Sequence, residues 1–181
     1  MKAMWEKLGL PSMGKHYDNG ARDAIKAVLS EHFREEVLSK TTKHHQGFLT
    51  GKTNTLKTDV YAAEVEGTKN YELAKTHKDD LPAMMMCCRA EIEMMASTGV
   101  MAAPFYFKRV FILAHKQKMY ELEKWACDTI ISLCELHDKA HKEAGASAII
   151  AKGMPAYREA KARLPKVKEL LKAQKSEKPS V

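Results

Sequence analysis

Long apolar runs are missing from this chain of 181 residues. No stretch approaches the about 18 uninterrupted apolar residues that a membrane-spanning helix needs. The first ten residues hold no apolar core of signal-peptide length, and position 2 is Lys rather than Gly, so a cytoplasmic protein with no membrane partner is expected. Aromatics are scarce at 7% of residues, glycine occurs nine times and proline six, and apolar and polar residues nowhere alternate over a strand's length. Those shortages argue against a β-sheet protein. Cysteine is confined to Cys87, Cys88, Cys127 and Cys134. The adjacent pair points to different sides of a helix, and a chain of this length needs no covalent staple, so reduced thiols in a helical core are expected.

Catalytic signatures are lacking too. Gly51-Lys52-Thr53 has the Lys and hydroxyl of a phosphate-binding loop, but the pattern requires Gly where the chain has Gln46, and no strand precedes it. Glu-x-x-His pairs of the di-iron kind have only Asp138-x-x-His141 as an approximation. No local signature sets a Ser or Cys against a His and an acid. The expectation is a protein that is not an enzyme and needs no cofactor.

What is present is helix-forming composition: many Ala, Lys, Glu, Met and Leu, with 45% hydrophobic and 29% charged residues, the balance of a globular domain. The pattern predicts an all-α single domain of about six or seven helices in antiparallel hairpins. An arm over 1–20 precedes a helical body over 21–153, a basic helix over 154–174 packs on it, and a short tail follows over 175–181. Helices are expected over 21–39, 59–67 and 81–98, the last opened by Asp80 and Pro82 and closed by Gly99. Pro104 opens a helix whose stripe is Phe107, Val110, Phe111 and Ala114. After Lys116-Gln117-Lys118 a second stripe runs through Leu122, Ala126, Ile130, Leu133 and Leu136, so the two helices pack antiparallel. The last helix starts at Pro155, and Pro165 is expected to kink or split it. Residues 40–57 form a long loop, either mobile or functional.

Phe105-Tyr106-Phe107 followed by Lys116-Gln117-Lys118-Met119-Tyr120-Glu121 resembles a tetratricopeptide-type repeat, whose first helix closes in a short turn before a tyrosine that opens the second. With Tyr120 as that tyrosine, Phe107 takes the bulky first-helix position and Val110 the next aliphatic one. Phe111 and Glu123 stand where the family prefers Gly and Ala. Asn70-Tyr71-Glu72-Leu73-Ala74 resembles the same turn, with Ala74 on the small-residue position. The two tyrosines lie further apart than the family's repeat of about 34 residues, so the methionine-rich helix enters as an insertion. The resemblance covers roughly 59–137 and implies a groove for a protein or peptide partner. Phe105, Tyr106, Arg109 and Trp125 are its candidate contacts, because buried aromatic and Arg side chains dominate binding energy.

Charge supports a second reading. Between positions 152 and 178 nine Lys and Arg face three acids, nearly all of the chain's net +7. Arg158, Lys161, Arg163, Lys168 and Lys172 are candidate contacts to nucleic-acid phosphates, without base reading. A third constellation, Cys127, Cys134, His137 and His141, falls within about an 80° sector of one helix. These are zinc's preferred ligand types, but Cys127 and Cys134 lie about 10 Å apart along the axis, so the four cannot share one ion. Two of them would need Cys87, Cys88 or His115 as partners. Core packing is the reading taken for the cysteines, with the histidines at the solvent boundary.

Overall fold

The computed structural model describes residues 62–143 and 151–176, together with positions 35, 39 and 40, which are helical. The arm over 1–20, the rest of the helix expected over 21–39, most of the 40–57 loop and the tail beyond 176 lie outside the described residues.

The first described element differs from the expected helix over 59–67. Glu64–Val65 (β1) and Thr68–Lys69 (β2) form a two-stranded antiparallel hairpin, with Glu64 opposite Lys69 and Val65 opposite Thr68. The cause is the dipeptide between them. Glu66 at φ 50° and Gly67 at φ 77° both have the left-handed backbone of a primed two-residue turn, which no right-handed helix accommodates. The Asn70 N–H then donates to the Ala63 carbonyl at 2.9 Å, which closes the hairpin. At that point the chain enters α1, Asn70–His77.

The boundaries of α2, Leu81–Thr98, are where local chemistry puts them. The Asp80 side chain accepts from the Ala83 N–H at 3.1 Å, Pro82 occupies the first turn, and Gly99 at φ 75° donates its N–H to Met95. Pro104 opens α3, Pro104–Lys116. Its C-terminus is a left-handed cap formed without glycine: Lys118 sits at φ 56°, its N–H donates to His115 O, and the Met119 N–H reaches back to Ala114 O. Helix α4, Tyr120–Glu143, follows at once. A 3₁₀ turn at Ala151–Gly153 is tied to α4 through Asp138, whose carboxylate accepts from the N–H groups of Ala151 and Lys152. Helix α5, Pro155–Ser176, runs past the expected end and is continuous through Pro165 rather than split in two.

The described residues are therefore mostly helical, with one small hairpin. Each helix packs on its neighbour in the chain, and α5 also touches α3. One core runs through the stack. It contains Met84, Cys87, Cys88 and Met95 of α2, Phe107, Val110 and Phe111 of α3, and Leu122, Ile130 and Leu133 of α4. The buried methionines of α2 thus fill space between helices. No described helix is long and apolar enough to cross a membrane.

Candidate functional site

The two flanks of α5 carry the chemistry. On one flank α5 meets the end of α3 and the start of α4, and a cleft of about 300 Å³ opens between them. It is lined by His115, Glu123, Glu159, Ala162, Arg163, Lys166 and Val167. Its floor is Glu123, whose side chain is 0% exposed. One carboxylate oxygen pairs with His115 Nδ1 at 2.8 Å and the other accepts from the Arg163 guanidinium at 2.7 Å. Arg163 is further held 4.9 Å from the centre of the Phe111 ring, a cation–π contact. Lys108 of α3 bridges to Glu159 of α5 at 2.7 Å. Lys166, exposed beside the cleft, has no ion pair among the described residues.

On the other flank, Arg158, Lys161, Lys168, Lys172 and Lys175 recur at intervals of three, seven, four and three, within a sector of about 100°. All five are exposed. Lys161 pairs with Glu135 at 3.2 Å, which also accepts from the Tyr157 hydroxyl, and Lys175 pairs with Glu121 at 3.1 Å. The hydrogen bond to Glu135 raises the Lys161 ammonium pKa above its ordinary value. Arg158, Lys168 and Lys172 have no ion pair among the described residues.

Of the five residues expected to face phosphate, four therefore lie on one surface and the fifth, Arg163, is turned inward. A buried Glu123 without a cation would be strongly unfavourable, and Arg163 is the side chain that satisfies it. The expected protein contacts are also divided. Phe105 is 46% exposed, whereas Tyr106 and Trp125 are buried in the core, where an incoming partner cannot reach them. Burial, and after it the nearby Glu91, pushes the Tyr106 hydroxyl pKa up. Arg109 is engaged within the protein at its surface, donating to Lys78 O at 2.9 Å and pairing with the exposed Asp79, so it fastens α3 to the α1–α2 turn.

On the Cys/His edge of α4 the two cysteines and His137 are buried, while His141 is half-buried. Cys127 and Cys134 are fully buried, and burial raises both thiol pKa values to about 12, which leaves them protonated and unreactive. The His137 and His141 rings lie with centroids 4.1 Å apart. No group of three or more potential metal ligands assembles among the described residues. A second buried carboxylate, Glu91 of α2, accepts from the Asn70 side-chain amide and from the Ala103 N–H, each at 2.8 Å. Neither buried carboxylate was expected as a polar centre, although Glu91, set between Ala90 and Ile92 in the methionine-rich helix, and an acid on a small-residue position were the available signals.

No protein-family model, curated protein or solved structure matches this chain.

Proposed function

We propose that the protein is a non-enzymatic interaction module of tetratricopeptide-like helical hairpins, holding a segment of a partner protein in the cleft between α3 and α5. The carrying observation is the position of that cleft. If α3 and α4 are the two helices of one hairpin, α5 begins the next, and the cleft lies between successive first helices, on the side where stacked hairpins offer a concave binding surface. The lining adds a chemical preference. Glu123 and Glu159 are already neutralised by Arg163 and Lys108, so the uncommitted charge beside the cleft is the Lys166 ammonium, which favours an acidic segment.

The test is selection from an immobilised peptide library with the full chain, compared with Ala162→Trp, which fills the cleft from an exposed position, and with Lys166→Glu. Acidic peptides are expected to be enriched, and both variants should lose at least tenfold in affinity while keeping their helical circular dichroism. An unchanged peptide profile in both variants rejects the cleft as the site.

A further inference from the structure

We infer that the outer flank of α5 is a second, separate binding site, for the sugar–phosphate backbone of double-stranded nucleic acid. Five exposed cations from Arg158 to Lys175 follow one edge of a helix over about 26 Å. A duplex presents one phosphate per strand for about every 3.4 Å of its axis, and because each strand winds around that axis, a straight edge of this length meets about three to five phosphates. Three of the five, Arg158, Lys168 and Lys172, have no acid to displace among the described residues. Lys161 and Lys175 have only solvent-exposed partners, and such pairs are weak and yield readily to a denser anion. Glu169 is the one fully exposed acid among the described residues of α5, against six exposed cations, the five of the stripe and Lys166.

The surroundings of the stripe select among polyanions. A helix that lies in a membrane surface seats large apolar or aromatic side chains among the lipids, whereas Ala162, Pro165 and Ala173 are what this exposed face has between its charges. The apolar residues Val167 and Leu171 are buried in the protein. Single strands are gripped by aromatic platforms, and the nearby ring, Tyr157, is committed to Glu135 and Lys161. Charge without stacking or base-edge contacts recognises a duplex by its backbone and not by its sequence.

The experiment is fluorescence anisotropy of the full chain with labelled 20-base-pair DNA, the same duplex in RNA, and a 20-nucleotide single strand, from about 50 to 200 mM salt. Sequence-indifferent duplex binding is expected, and the RNA arm decides between the two duplexes. The logarithmic salt slope should be about −3 to −4.5, for three to five phosphate contacts. Replacing Arg158, Lys168 and Lys172 together by Glu should reduce the slope by about 3 and abolish binding at the higher salt. Lys166→Glu, on the cleft flank, should leave the slope within about one unit, so loss of peptide binding and loss of duplex binding are separable. Absence of duplex binding at 50 mM salt, or an unchanged slope in the folded triple variant, overturns the inference. Preferential binding to phosphatidylserine vesicles over duplex overturns it in favour of a membrane surface.

Discussion

Two carboxylates are buried among the described residues, and they are made tolerable in opposite ways. Glu91 is 4% exposed and receives two hydrogen bonds from neutral donors, the Asn70 amide and the Ala103 N–H. Glu123 is 0% exposed and receives its two from nitrogen bases, His115 on α3 and Arg163 on α5. Neutral donors satisfy the oxygens but not the charge, and burial raises the pKa of Glu91 accordingly. What Glu91 gains is connection: one side chain links the start of α1 and the segment before α3 to the middle of α2. Glu123 instead balances charge, and in doing so joins three helices around the cleft. The comparison separates a carboxylate kept for its acceptors from one kept for its charge.

Removing the charge-balanced carboxylate should have the larger effect. Glu123→Ala leaves Arg163 partly buried with no anion, and loss of one member of such a pair costs about 3–5 kcal/mol. Because Arg163 retains some contact with solvent, about 3 kcal/mol is expected, read as a lowered urea midpoint. The double variant Glu123→Leu, Arg163→Met removes both charges and keeps the volume, and should recover to within about 1 kcal/mol of the starting protein. A double variant no more stable than Glu123→Ala would mean that the ionic pairing is not what makes Glu123 acceptable.

The neutral-donor site is expected to show itself through pH. Its folded-state pKa lies above the ordinary 4.5, so the folded state binds the Glu91 proton more tightly than the unfolded chain does. Its contribution is therefore fully present below about pH 4.5 and is lost as pH rises through the raised value, the reverse of a salt-bridged carboxylate. The stability difference between the starting protein and Glu91→Gln, from urea titrations between pH 4 and pH 8, should shift against the starting protein as pH rises. A difference independent of pH would show that Asn70 and Ala103 stabilise the carboxylate fully.

How much of this was legible in the sequence follows from how local each cause is. Helix α2 was readable to its ends because Asp80, Pro82 and Gly99 act on their own neighbours. The cap at Lys118 lay inside a polar break that already implied a turn. The hairpin at 64–69 was misread as part of a helix over 59–67, because the strand-like alternation of Ala63, Glu64 and Val65 is only three residues long and the decisive backbone of Glu66 and Gly67 depends on pairing across the turn. Trp125 and Glu123 were misjudged for a shared reason. A single apolar stripe buries one side of a helix, but α4 has neighbours on more than one side, and 12 of its 24 residues are buried. Periodicity shows the first covered side. It does not show which charged residues a second neighbour will enclose, and that was the information needed to find the cleft.

The smallest effect should come from the third member of the Glu123 cluster. His115 is 42% exposed, so its hydrogen bond competes with water, while Arg163 continues to balance the carboxylate. A glutamine amide can donate to the same oxygen, so His115→Gln should cost no more than about 0.5–1.5 kcal/mol, the net worth of an ordinary hydrogen bond. It should also leave the duplex salt slope untouched, because His115 lies on the cleft flank of α5. The informative quantity is the ratio of losses. If His115→Gln lowers the urea midpoint as far as Glu123→Ala does, His115 carries the charge balance assigned to Arg163. Arg163 would then be released from the interior and would join the cations available on α5.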